Sequence, residues 1–391
     1  MNVEYIDGKE KNGIKYDYDL IRKEYRKLKV PKEYYTPLHL PLESVKWLIS
    51  MSERARGKTT NVLLLGMIFN KLYGTEIQYI RSREDMITPK ISHNLFGVII
   101  ENGYVEKITD GEYNTVVYKS RRWYYAYFDE EKQEITKQAH DHFCTMLSID
   151  KNEMYKSSYS APTGDFIIFD EFIERYYYPQ QFVMFLDLLS TIIRSRKSAS
   201  IFLLSNTIDK NSPYFSEFEI RDAIDDLAQG EHRLVTTPKG TRVFVEIIGK
   251  RAKTASKHQK EINSLYYGFQ NSKLASITGE SAWAVDTYPH TPVDFNVVTK
   301  NHYLEYNTKL VNLEICIDPV YERPFVNCHY ATKTYDDSVI YTLDFNLDKR
   351  YRYKLGVSKL DRYIWDLYAR NLFTYADNSV GSLIERYYEL C

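Results

Sequence analysis

The sequence predicts an α/β fold built on a mostly parallel sheet. Three observations carry that prediction. Short apolar runs alternate with helix-length amphipathic segments from Val45 to about Gly249, the first run leads into a Gly-Lys-Thr, and a later run ends in two adjacent carboxylates.

Residues 1–44 are charged and rich in tyrosine, with a helix predicted over Asp19–Lys29 and ended by Pro31, and they read as a cover or docking arm. A strand over Val45–Met51 runs into Ser52–Thr59, SERARGKT, and the spacing from Asn61 onward is helical. Strand, loop and helix meeting at Gly-Lys-Thr make a phosphate-binding arrangement. Backbone N–H groups and the helix N-terminus hold phosphate oxygens, Lys58 adds positive charge, and the Thr59 hydroxyl ligates Mg²⁺; Gly57 and Thr60 belong to the same loop. Ser52 stands where the pattern GxxxxGKT has its first glycine. Read blandly, these residues are a basic turn capping a buried helix.

A second strand is predicted over Glu76–Arg81, then a hairpin over Asn114–Phe128 with Lys119-Ser120-Arg121-Arg122 at its tip. Residues 129–163 read either as a DNA-facing loop or as packing. Within them His140, His142 and Cys144 form the one local ligand-like cluster. On a helix such i, i+2 side chains diverge, so a polar surface segment is the better reading.

The strand Phe166–Phe169 ends in Asp170 and Glu171. Neighbouring strand residues point to opposite sides, so Asp170 can hold Mg²⁺ while Glu171 polarises the water that attacks a γ-phosphate. Solvated acids at a strand end are the bland alternative, and the upstream loop favours nucleotide hydrolysis. Gln181–Ile193 has helical spacing, with Phe182, Phe185, Leu186, Leu189 and Ile193 on the expected core face, and Arg194-Ser-Arg196-Lys197 closes it. Ser200–Leu204 is a further strand that leads to Ser205 and Asn206, placed to sense the γ-phosphate, and Arg242–Ile248 is the last strand of this domain.

Residues 250–290 read as a linker or lid with a helix over Lys257–Phe269. From residue 291, strands at Tyr303–Tyr306, Leu310–Ile317, Phe325–Tyr330 and Val339–Leu343 precede helices at Lys359–Asn371 and Ser379–Leu390, a separate smaller domain. Two cationic stretches, Lys250–Lys260 and Lys349–Lys354, suit phosphate neutralisation or a solvated face.

With 391 residues, 43% apolar, 27% charged and a net charge of −1, the chain supports two or three domains, and contact with nucleic acid must be local. The longest apolar run, Val62–Phe69, is too short to span a bilayer, and the N-terminus lacks a signal-peptide core, so a protein of the cytoplasm of whatever cell makes it, without membrane contact, is expected. Four scattered cysteines argue against a disulfide scaffold or a structural zinc site.

In order along the chain, SERARGKT, YIRSRE from Tyr79, KSRRWYY from Lys119, KSSYS from Lys156, IIFDEFIE from Ile167, IIRSRKSASIFLLSN from Ile192 and NSPYF from Asn211 resemble the DNA-packaging ATPases of small short-tailed phages. These are of picovirus (salasmavirus) type, related to the large terminases. The resemblance covers most of residues 45–250 and, more weakly, the C-terminal helix from Asp377 to Tyr388. It implies a P-loop ATPase domain of the ASCE type, followed by a ribonuclease H-like domain that lacks the metal-binding acids of the terminase nuclease. By resemblance, Lys58 and Thr59 bind ATP and Mg²⁺, Arg54 orders the phosphates, and Asp170 and Glu171 take the metal and water roles. Arg194 falls on the trans-acting arginine finger, and Ser205 and Asn206 couple hydrolysis to movement.

The implied partners are double-stranded DNA, the portal or connector, a packaging RNA and further copies in a ring, expected to be a pentamer. The expected activity is ATP-driven DNA translocation into a procapsid. Rivals are a terminase with an active nuclease, for which Asp318, Asp336, Asp337, Asp344 and Asp348 are the available acids, a portal-docking or scaffolding protein with a vestigial nucleotide site, and a helicase.

Overall fold

The computed structural model describes residues 5–6, 9–10, 15–52, 56–88, 92, 94–173, 177–178, 180–206, 210, 212–225, 227–249, 288–291 and 295–391. Arg54, the whole cationic stretch 250–260 and the helix expected over 257–269 lie outside the described residues. The chain divides into two compact units. The first comprises residues 1–174, 180–207 and 222–266, and the second residues 175–179, 208–221 and 267–391.

In the first unit, α1 (Tyr18–Lys27) is capped by Asp17, whose side chain accepts from the Leu20 N–H. The strands β1 (Trp47–Met51), β2 (Ile77–Arg81), β3 (Thr115–Lys119), β4 (Arg122–Asp129), β5 (Glu134–Gln138) and β6 (Cys144–Ser148) come next. They are followed by β7 (Phe166–Asp170), β8 (Ser200–Ser205), β9 (His232–Thr236) and β10 (Arg242–Ile247). Their order in one sheet is β9-β10-β1-β8-β7-β2-β6-β4-β3, with β5 paired to β4. From β10 to β6 every neighbour is parallel. The strand ahead of the phosphate loop, β1, is thus separated from the acid-bearing β7 by β8 alone, which brings all three C-terminal ends to one edge. In open α/β sheets that edge is where ligands bind.

The helix α2 (Lys58–Tyr73) follows β1 and is buried continuously from Asn61 to Phe69, as expected of a helix apolar all round. Gly66 permits its close approach to the sheet. A Cβ there would lie 2.8 Å from Ile77 Cδ1 and 2.9 Å from Phe166 Cδ1. The arm packs on the same core through Ile21, Tyr25, Leu28 and Tyr35. It is pinned at its end by Glu246 of β10, whose carboxylate accepts from Tyr35 (2.8 Å) and Ser50 (2.6 Å) and meets His39 Nε2 at 2.7 Å.

The expected hairpin is present, with Ser120 and Arg121 in the left-handed region at its tip. Residues 134–138 add an exposed strand, and 144–148 form a fully buried one, β6, in place of the expected loop or packing. The His140–Cys144 cluster is accordingly no helix. His142 sits against Glu76 at 3.0 Å, and Phe143 and Cys144 enter the core.

In α3 (Gln181–Ile193) the core face is Phe182, Phe185, Leu188, Leu189 and Ile192. Leu186 is 39% exposed, and Ile193 is only half-buried. Leu188 and Ile192 take the places expected for Leu186 and Ile193, because in a run this apolar several stripes satisfy the helical spacing equally.

The second unit holds β11 (Asn296–Thr299), β12 (His302–Tyr306), β13 (Lys309–Ile317), β14 (Pro324–Ala331), β15 (Val339–Thr342), β16 (Tyr351–Tyr353) and β17 (Phe373–Tyr375). Two helices, α4 (Lys359–Ala369) and α5 (Asn378–Glu389), complete it. The sheet order is β16-β15-β12-β13-β14-β17, with β11 paired to β13. An antiparallel meander β12-β13-β14 is extended from β12 by the parallel strands β15 and β16. Strand order and direction agree with the ribonuclease H-like expectation, while β14, β15 and β16 are joined without intervening helices and both helices follow β16. Trp365, Ile364 and Leu367 of α4 and Leu383, Ile384 and Tyr387 of α5 fill its core.

Candidate phosphate-binding site

At the C-terminal edge of the first sheet, Gly57 has φ 73° and starts α2 without any side-chain cap. The left-handed conformation favours glycine, and the uncapped amides of the first turn are left for an anion. Lys58 is 3% exposed. Its Nζ donates to Ser52 Oγ at 2.5 Å and to Asn206 Oδ1 at 2.9 Å. Among the described residues no carboxylate lies within ion-pair distance of it. Burial draws its pKa down to about 8, with Asp170 acting the other way. A buried ammonium held only by neutral oxygens, with a third donor to spare, suits an anionic guest.

Ser52 therefore has a role that a glycine could not fill, since its hydroxyl receives Lys58. Its own N–H donates to the Ser205 carbonyl at 3.1 Å, which ties the loop to β8. Thr59 Oγ1 lies 3.1 and 3.2 Å from the two oxygens of Asp170. A hydroxyl beside a carboxylate is an oxygen donor set of the kind Mg²⁺ takes, so Thr59 and Asp170 fit that ion. Burial raises the pKa of Asp170, opposed by Arg81 and by a hydrogen bond from Tyr79. Thr60, half-buried, lines a cavity of about 300 Å³ with Tyr34, Gly57, Asn61, Asn102 and Tyr104.

Glu171 lies just beyond β7 with φ 54°, and its N–H donates to Asp170 Oδ1 at 3.1 Å. The two acids do not diverge as alternate strand residues would. That left-handed turn lets both meet Arg81, whose Nη2 donates to Glu171 and whose Nη1 is 3.6 Å from Asp170. Tyr79, one strand over on β2, donates to Asp170 at 2.5 Å. Sequence reasoning assigned no role to Tyr79 or Arg81. The signal that points to them is the alternation along YIRSRE, which puts residues 79 and 81 on one face of a strand.

No family model matches the chain, and no curated protein matches it. Among solved structures, a chain of the bacteriophage Phi-29 viral genome packaging motor assembly aligns at TM-score 0.53 and 16% identity, over 92% of this chain and 100% of that one. The chain has the fold of a phage packaging-motor protein. Also similar are the Phi-28 gp11 DNA packaging motor, at TM-score 0.47 and 14% identity over 92% of this chain and 99% of that one, and the N-terminal domain of the phi29 DNA packaging ATPase, at TM-score 0.43 and 19% identity over 57% and 99%.

On the packaging-motor fold, Arg194 is not at the phosphate loop. It follows α3 at the opposite end of the sheet, where Arg196 pairs with Asp165 at 2.5 Å just ahead of β7. The five residues of β7 thus separate this end from Asp170, roughly 16 Å at strand rise. Arg194 is exposed and donates to the Tyr159 carbonyl at 3.3 Å.

In the second unit, Asp318 accepts from the Val320 and Tyr321 N–H groups, Asp337 from Asn301, and Asp348 pairs with Arg350. Asp344 follows β15 in a turn closed on Thr342. Among the described residues no three His, Cys, Asp or Glu side chains group closely enough to hold a metal ion. The cationic stretch at 349–354 is partly spent on the protein itself, with Arg352 donating to the adjacent Tyr351 carbonyl and Lys354 to the Cys391 carbonyl, both at 3.1 Å. No described helix is long and apolar enough to cross a membrane.

Proposed function

We propose that this chain is the ATP-hydrolysing subunit of a viral genome-packaging motor, which drives double-stranded DNA through a portal into a procapsid. The observation that carries this reading is the buried Lys58, ringed by neutral oxygens beside the Thr59–Asp170 pair, on a fold shared with a packaging-motor protein. Phosphates lie along the start of α2 and on Lys58. The cavity beyond Gly57 and Thr60, walled by Tyr34 and Tyr104, accepts the base. Thr59 and Asp170 would hold Mg²⁺, which would supply charge neutralisation on the phosphates. Glu171, once off Arg81, orients the water. Ser205 and Asn206 link the site to β8, because Asn206 touches Lys58.

Arg194 serves a neighbouring copy in a ring. Its distance from its own Asp170 supports action in trans. The second unit contacts DNA, the portal or a packaging RNA without cleaving, a reading supported by the carboxylates of Asp318, Asp337 and Asp348, which are taken up by a turn, Asn301 and Arg350, and by the lack of a metal-holding cluster among the described residues.

The deciding experiment measures ATP hydrolysis over a titration of protein, with and without duplex DNA. Activity should rise faster than linearly with protein, increase with DNA and fall steeply with salt, because the contacts are to phosphates. Glu171→Gln should keep nucleotide affinity and lose about 10²–10⁴ in kcat. Hydrolysis that is absent at every concentration, with no binding of an ATP analogue, would refute the proposal.

A further inference from the structure

Asn61 lies one turn into α2, and its side chain joins two elements. Its Nδ2 donates to the Gly57 carbonyl at 2.8 Å, and its Oδ1 accepts from the Tyr25 hydroxyl of α1 at 2.7 Å. The same carbonyl takes the helical bond from the Asn61 N–H at 2.9 Å. Both side chains are deeply buried, at 3% exposure each. Gly57 itself is closed in, since a Cβ there would lie 3.0 Å from Asn61 Nδ2 and 3.3 Å from Tyr34 Cδ1.

A carbonyl and the N–H of the next residue share one rigid trans peptide plane and point in opposite directions. Two bonds on the Gly57 carbonyl therefore aim the Lys58 N–H away from Asn61. Glycine needs such a restraint, because its own backbone preferences hold no single conformation. The Tyr25 hydroxyl in turn settles which end of the Asn61 amide faces the loop. With its proton on Oδ1, the amide NH₂ is the end left for Gly57. Burial pushes the Tyr25 phenol well above its ordinary value, so the hydroxyl keeps that proton throughout the neutral range.

We propose that Tyr25 and Asn61 are positioning residues of the phosphate site: the α1 hydroxyl locks the Asn61 amide, and the amide locks the Gly57–Lys58 peptide so that its N–H meets a phosphate oxygen. This rests on the nucleotide reading above. It makes α1, twenty-five residues and more ahead of the loop in sequence, part of the phosphate-binding machinery as well as of the core.

The test uses the full chain, a fluorescent ATP analogue with Mg²⁺, and inorganic pyrophosphate as competitor, so that phosphate affinity is read without the base. Tyr25→Phe keeps the ring and removes only the O–H. It should weaken both ligands about 3- to 10-fold. Asn61→Leu should weaken them at least as much, and the double variant no further, because the two act as one chain of bonds. A purely structural role would lower the unfolding temperature of Tyr25→Phe and leave pyrophosphate affinity at the wild-type value, and that result would overturn the inference. Should Asn61→Leu fail to fold, Tyr25→Phe alone decides. If the wild-type chain binds neither ligand, the nucleotide reading fails, and this inference with it. If the wild type binds and Tyr25→Phe binds equally well, only this inference fails.

Discussion

Arg81 on β2 donates to the carboxylate of Glu171 beyond the neighbouring strand β7, and its second amino group stands 3.6 Å from Asp170. One guanidinium thus faces two adjacent acids in a site where burial raises the Asp170 pKa and the Arg81 charge works against that rise. Arg81→Met removes that charge, so the Asp170 pKa should rise further. Mg²⁺ then competes with a proton at higher pH than before, and the acid limb of the Mg²⁺-dependent hydrolysis profile should move upward in pH. A profile that keeps its acid limb in place would show that Arg81 does not tune the metal carboxylate.

The lowered pKa of Lys58 has two consequences of opposite sign. Its ordinary value is 10.5, and burial brings it to about 8. Between those values the unfolded chain holds the proton and the folded one does not, so this group makes folding stability rise with pH from about 8 to 10.5. A bound triphosphate favours the charged ammonium, so nucleotide affinity should be flat below about pH 8 and weaken above it. Isothermal titration from pH 6.5 to 9.5 measures this, with Lys58→Ala as the control that loses binding throughout. Affinity independent of pH over that range would mean that Lys58 does not meet the phosphates.

Arg194 sits across the length of β7 from its own Asp170, so its substitution should leave nucleotide binding by isolated protein unchanged. At concentrations where copies assemble, Arg194→Ala should lower hydrolysis by about 10³-fold or more, in the range by which arginine fingers act. Mixing Arg194→Ala with Lys58→Ala subunits should restore part of the activity, since each supplies what the other lacks. Mixtures as inactive as either variant alone would count against action between subunits.

Gly66 tests the packing that carries α2. A methyl group there would press on Ile77 and Phe166 within 3 Å. Gly66→Ala should therefore cost about 1–3 kcal/mol in urea unfolding despite the better helix propensity of alanine. Unchanged or increased stability would mean that helix and sheet separate freely at this point.

The parallel sheet was legible because buried strands such as Phe166–Phe169 and Ser200–Leu204 read as uninterrupted apolar runs, and the phosphate loop was legible because Gly57, Lys58 and Thr59 are contiguous. The strand Cys144–Ser148 was missed. It is short, contains Thr145 and Ser148, and alternates with nothing. It becomes a strand through pairing with β2, a long-range partner that no local pattern announces. The core face of α3 was shifted for a related reason, since only the sheet beneath it distinguishes Leu188 from Leu186.

By itself the sequence determined which residues bear the chemistry, because charge, hydroxyl and glycine content are properties of side chains in contiguous motifs. Only the tertiary structure decided how they combine. Placing β8 between β1 and β7 brings Asn206 to Lys58 and Asp170 to Thr59, and a left-handed turn at Glu171 sends both acids to Arg81. Those distances arise from strand order and from one backbone angle, and neither is encoded in the spacing of residues along the chain.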